Sequence, residues 1–224
     1  MGKYKFLIPL FIVVVAFCAA YIMHYRHLHR YDALIKRVSS SYGLDPALVQ
    51  ALIYEESYFD RDARSSAGAI GLMQVTPISV REWSRVTGKQ RLSSAFRNTI
   101  RDRSLDISQL TDAELLTYPE INLNIGCWYL DQLMRRYADQ KEPLPMVLAS
   151  YNAGPTHALR WQERASARSH EPTTNQYIEQ IDFPETKHYV RSIMSRYQKY
   201  KQNQSDSDMF GWLLRLASSF SSHG

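Results

Sequence analysis

The sequence predicts a mainly α-helical protein in which one helical domain follows an N-terminal membrane-spanning helix. Three observations carry that prediction. Phe6 to Met23 holds no charged residue across 18 positions. The segments behind it repeat their apolar residues at helical spacing, and no run of strict alternation is long enough for a strand. Prolines and an Asp stand where helices would start, and a glycine where one would stop. A chain of 224 residues suffices for one sizeable core and is short for two enzyme domains.

Taken in order, the apolar run 6–23 would form a helix about 27 Å long, near the thickness of a bilayer's hydrocarbon core. Lys3 and Lys5 precede it, while Arg26 and Arg30 follow it. The alternative is a signal peptide cleaved near Ala20, with Cys18 at the −3 position. The run is longer than a usual signal core, which favours an anchor over residues 1–30. Either reading exports the remainder.

Residues 31–200 read as one domain. Tyr31 to Tyr42 predicts a helix stopped by Gly43. Asp45-Pro46 restarts the chain, Asp45 as N-cap and Pro46 at the first helical position, for a helix to Ser57. Further helices are predicted over 71–83, 119–137, 145–151 and 184–200. Between Gly88 and Thr117 lies a polar, Arg-containing stretch that reads as a loop or small helical insertion. Residues 164–174 read as an exposed loop. Lys201 to Asp208 reads as a polar linker before a short amphipathic tail, 209–220. That tail suits an interfacial helix, a partner-binding helix or simple packing on the domain.

Composition excludes little. A formal net charge of +5 suits several acidic partners, but no basic run interleaved with aromatics points to nucleic acid. Cys18 and Cys127 fall in different regions and are not expected to bridge. The apolar surroundings of Cys127 supply no activating base.

The chemistry points to the 46–57 helix. At about 100° per residue, Glu56 shares a face with Val49, Leu52 and Ile53, and Glu55 falls towards the edge of that stripe. A carboxyl turned inward loses solvation and holds its proton to higher pH, so it can act as a general acid. The duller alternative is a helix-end Glu that curls out to solvent or pairs with an Arg. Later segments add groups suited to a sugar ring's apolar faces and polar rim. They are SSAGAIGLMQVTP with Ser65 and Gln74, SYNAG with Tyr151 and Asn152, and FPETKHYV with Glu185 and Tyr189.

ALIYEES, then SSAGAIGLMQVTP, PEINLNIGCWYLDQL, SYNAG and FPETKHYV, in this order and spacing across about residues 31–200, resemble the SLT-type lytic transglycosylases. That resemblance implies a lysozyme-like helical fold with a groove between lobes. It implies Glu56 as the catalytic acid/base with Ser57 beside it, and Ser65, Met73, Gln74, Tyr151, Asn152 and Tyr189 as substrate-binding residues. Glu185 would be a supporting hydrogen-bonding residue. Lys187 stands where the family has Arg, which loses a planar fork of donors. No metal and no cofactor are implied.

The implied chemistry runs through one carboxylate. Protonated Glu56 would protonate the oxygen joining N-acetylmuramic acid to N-acetylglucosamine. Ionised Glu56 would then take the muramoyl C6 hydroxyl proton as a 1,6-anhydro ring closes. A muramidase using water on the same bond, and a peptidoglycan-binding module without turnover, are the alternatives. The implied partners are peptidoglycan glycan strands and, through the first helix, a membrane. An envelope-spanning machine would be compatible, but no motif names one. The implied place is the inner membrane with the domain in the periplasm, or the free periplasm after signal cleavage.

Overall fold

The computed structural model describes residues 7–87 and 110–221, with side chains described for 9–87 and 110–203. Among the described residues the elements are helices, with two isolated antiparallel bridges, Arg64 to Ile70 and Ile70 to Val75. In chain order they are α1 (Leu7–His29), α2 (Asp32–Ser41), α3 (Pro46–Ser57), α4 (Pro77–Thr87) and α5 (Asp112–Leu115). Then come α6 (Pro119–Arg136), α7 (Leu144–Ala153), α8 (Pro155–Ser166), α9 (Thr174–Gln180) and α10 (Pro184–Ser221).

α1 is long and apolar enough to cross a membrane by length and composition, and its side chains from Leu10 to Val15 are exposed. Its end joins α2 through Arg30 and Tyr31 alone.

The start of α3 is built as expected. The Asp45 carboxylate accepts from the Ala47 amide at 2.9 Å, and Pro46 takes the first position, where no amide hydrogen is needed. Behind that cap, Ala47 to Ile53 are all buried. Full burial of a Leu- or Ile-sized side chain contributes roughly 1.5–3 kcal/mol, so Leu48, Leu52 and Ile53 hold α3 inside the domain. α3 packs between α2 and α10, and α10 also lies along α7. The α2–α3 turn uses Gly43 at φ 67°, as the expected helix stop requires.

Three expectations about elements are corrected. The helix expected from Gly71 begins at Pro77, because 71–74 forms a turn that places Gly71 and Gln74 at φ 80° and 46°. The helices α8 and α9 were not foreseen, and the expected loop 164–174 contracts to 167–173 between them. α10 continues without a break through 201–208, where a polar linker was expected, since polar residues there include few helix breakers. Of the expected insertion at 88–117, residues 88–109 lie outside the described residues. The rest includes α5, whose capping box pairs Thr111 with Glu114.

Candidate active site

α3 delivers Glu56 from the interior outward. Val49, Leu52 and Ile53 are fully buried on its inward face, and Glu56 continues that face one turn later, half-buried. Part of its surface stays open, while protein packs around the rest. Burial pushes its carboxyl up to about 7, the neighbouring Glu55 charge adds to the rise, and a hydrogen bond from Tyr189 opposes it. A carboxyl raised this far can hold its proton near neutral pH, which suits an acid step followed by a base step.

Tyr189 is buried, and its hydroxyl donates to Glu56 Oε1 at 2.5 Å. Burial, reinforced by the Glu56 charge, pushes the phenols of Tyr189 and Tyr151 well above their ordinary range, so both stay hydrogen-bond donors. Tyr151 donates to the Met73 carbonyl at 2.9 Å, with its ring tilted against Tyr129 at 5.5 Å.

The turn 71–74 is held from beneath by Asn122, a wholly buried amide on α6. It accepts from the Met73 amide at 2.8 Å and donates to the carbonyls of Ile70 at 2.7 Å and Leu116 at 3.0 Å. A Cβ on Gly71 would meet Asn122 Nδ2 at 2.4 Å, so a glycine is needed both for this approach and for its φ of 80°. Gly126 on α6 leaves room for the Met73 thioether, which a Cβ there would meet at 2.5 Å.

Four side-chain hydrogen bonds close a ring through the separate motifs. Ser57 donates to the Leu72 carbonyl at 2.9 Å, Tyr151 to Met73, Thr186 to Asn152 Oδ1 at 2.7 Å, and Tyr189 back to Glu56. The end of α3, the 71–74 turn, the end of α7 and the start of α10 are thereby joined into one cluster.

The expected site residues fall into two groups. Glu56, Ser57, Tyr151, Asn152 and Tyr189 meet in that ring. Gln74 donates to the carbonyls of Gly71 and Ala63 and borders a cavity of about 190 Å³ shared with Thr76, Ser79, Tyr129 and Tyr151. Met73 is a correction: its side chain is sealed in the core against Gly126 and Cys127, so only its backbone serves the cluster. Ser65 is exposed and closes its own turn by accepting from the Ala69 amide at 3.0 Å. Glu185 is exposed beside Thr186. Lys187 lies 3.6 Å from the Glu179 carboxylate, which Arg191 also contacts at 2.5 Å. Cys127 is buried and burial pushes its thiol upward, which suits packing and not nucleophilic attack.

Asn122, Thr186 and Tyr129 were not foreseen as site residues. Asn122 was detectable, with Asn124, as one of two amides in the otherwise apolar run INLNIGCW. Thr186 and Tyr129 carried no such signal.

A larger cavity of about 370 Å³ opens among Asp139, Lys141, Glu142, His170 and Tyr177, and shares no residue with the Glu56 cluster.

Among the described residues, Glu56 is the acid whose carboxyl burial raises, and it stands at a helix end beside the buried Tyr189 and the half-buried Tyr151. The family model "Transglycosylase SLT domain" matches residues 33–173, and the chain belongs to that family. It is 29% identical over 160 residues to a membrane-bound lytic murein transglycosylase F of Desulfosudis oleivorans, covering 70% of this chain and 29% of that one. To the soluble lytic murein transglycosylase of Escherichia coli it is 26% identical, covering 79% and 24%. Among solved structures, the lytic transglycosylase Slt of Pseudomonas aeruginosa superposes with a TM-score of 0.60 at 26% identity, covering 79% of this chain and 25% of that one. The chain thus spans about a quarter to three tenths of the length of these relatives.

Proposed function

We propose that this protein is a lytic transglycosylase that cleaves the bond between N-acetylmuramic acid and N-acetylglucosamine in peptidoglycan. The observation that carries the reading is Glu56, raised to about 7 by burial and touched by Tyr189. The relatives' names supply the substrate class, and the ring of motifs supplies the groove wall.

Glu56 protonates the glycosidic oxygen as the C1–O bond breaks. The substrate's own N-acetyl group steadies the charge at C1, helped by the dipoles of nearby tyrosine and amide groups. The Glu56 carboxylate then removes the muramoyl C6 hydroxyl proton, and the C6 oxygen bonds to C1 to give the 1,6-anhydro ring. The proton returns to Glu56, so no water is consumed. Transfer of this kind contributes about 10²–10⁴-fold, and alignment in the groove provides the remainder.

The apolar α1 and the membrane-bound relatives support a single-pass inner-membrane protein with this domain in the periplasm. Purified sacculi incubated with the wild type should release muropeptides lighter by one water than hydrolysis products, and Glu56→Gln should release none. Products carrying the extra water would show a muramidase instead. No release by the wild type would leave a binding module.

A further inference from the structure

The turn that ends the catalytic helix is gripped by the membrane helix. Tyr58 and Phe59 follow Glu56 and Ser57 directly, and both hold a positive φ, 51° and 61°. A left-handed conformation is unfavourable for a non-glycine residue, so surrounding contacts must impose it. Phe59 is fixed partly by its full burial. The two carbonyls are fixed from α1 and the junction behind it. Tyr58 O accepts from His27 Nε2 at 2.6 Å, and Phe59 O accepts from Arg30 Nη2 at 2.6 Å.

The same Arg30 nitrogen donates to His27 Nδ1 at 3.2 Å, which leaves the imidazole hydrogen on Nε2, facing Tyr58. One turn back, the Tyr58 hydroxyl is hydrogen-bonded with His24 Nδ1 at 3.1 Å, and its ring lies 5.2 Å from that of His27. On the other side, Ser57 is tied to Leu72. The last turn of α3 therefore sits between the 71–74 turn and the membrane helix.

We infer that α1 is a docked mount and not a loose tether, and that His27 and Arg30 are positioning residues that set the end of α3 and so aim Glu56 at its substrate. The inference rests on Glu56 being the catalytic acid. Without the two donors, the Tyr58 and Phe59 carbonyls lose their partners and the left-handed pair relaxes. The final turn of α3 then shifts Glu56 relative to Tyr189 while the groove is untouched.

The test uses the full chain in detergent micelles on soluble glycan strands, below the melting temperature of every variant. His27→Ala and Arg30→Ala should each lower kcat about tenfold or more with KM within about twofold, because the loss is of alignment and not of binding. His27→Gln, whose amide can donate to the same carbonyl, should recover most of kcat. Arg26→Ala, on an exposed position, should match the wild type. Hydrogen exchange at amides 58–60 should quicken in the two alanine variants only. Unchanged kcat and exchange in both, or a rise in KM with kcat kept, would overturn the inference. A wild type without turnover would sink the Glu56 reading instead, and the exchange arm would still decide the docking.

Discussion

Replacing Glu56 by Gln should stabilise the protein, and only above the pH at which the unfolded side chain ionises. An unfolded glutamate releases its proton around 4.5, whereas in the folded protein this one keeps it until about 7. Between those values the unfolded state is favoured by ionisation that the folded state resists. Stability contributed by the protonated form is thus complete below about 4.5 and lost as pH rises to 7, with no further change above. Each tenfold in proton affinity is worth about 1.4 kcal/mol, which puts the ceiling near 3 kcal/mol. The half-open position of the carboxyl lets water screen part of this, and about 1–2 kcal/mol is expected. Glutamine does not titrate and can still accept from Tyr189. For a chain of this size the gain corresponds to roughly 2–8 °C in Tm. Thermal unfolding followed by circular dichroism, for both forms at pH 4.5 and pH 8, reads it directly. Glu56→Gln should melt higher than the wild type at pH 8 and level with it at pH 4.5. An equal gap at both pH values, or a lower Tm at pH 8, would refute a buried, proton-holding Glu56.

Three further outcomes follow from the site's contacts. Tyr189→Phe removes the hydrogen bond that holds the Glu56 carboxyl down. The upper limb of the pH profile of kcat/KM should therefore move to higher pH, with kcat reduced about 10- to 100-fold; an unmoved limb would show that the bond does not form in solution. Asn122→Leu removes the partner of the Met73 amide and of the Leu116 carbonyl and leaves the Ile70 carbonyl with the Val75 amide alone, and should cost about 2–5 kcal/mol in urea unfolding. Gly71→Ala, forced against the same amide, should cost at least about 2 kcal/mol. Glycan binding by whatever fraction stays folded should be normal if the amide is structural.

Features written in local chemistry were readable from the sequence. The Asp45-Pro46 start of α3, the Gly43 stop and the inward phase of Glu56 depend on residues within a turn or two of one another, and the structure shows all three. Where tertiary contacts override local preference the reading fell short. Gly71 to Gln74 looks like the start of a helix, but Asn122, about fifty residues away, takes up the turn's backbone groups and holds it open. The α8 helix follows a Gly154-Pro155 pair, a local punctuation signal that gives no helix by itself. Here Gly154 at φ 89° ends α7 and Pro155 opens the next helix. The grip of His27 and Arg30 on the α3 end joins residues some thirty apart through backbone carbonyls, for which no side-chain pattern exists.

Met73 shows why a matched motif can be placed correctly while the contribution of one side chain is misassigned. The Gly-Leu-Met-Gln segment does stand beside the acid, but its thioether faces the core. The segment serves through its carbonyls, which receive Ser57 from α3 and Tyr151 from α7. Those two bonds, with the Thr186–Asn152 and Tyr189–Glu56 pairs, leave the carboxyl little freedom to turn away from its costly surroundings and ionise early. An acid on a mobile helix end would swing into water, where its pKa returns to the ordinary carboxylate range and proton donation at neutral pH fails. Rigidity of the ring is therefore the condition for the raised pKa, and in the proposed reaction the raised pKa is what would let one carboxylate serve first as acid and then as base.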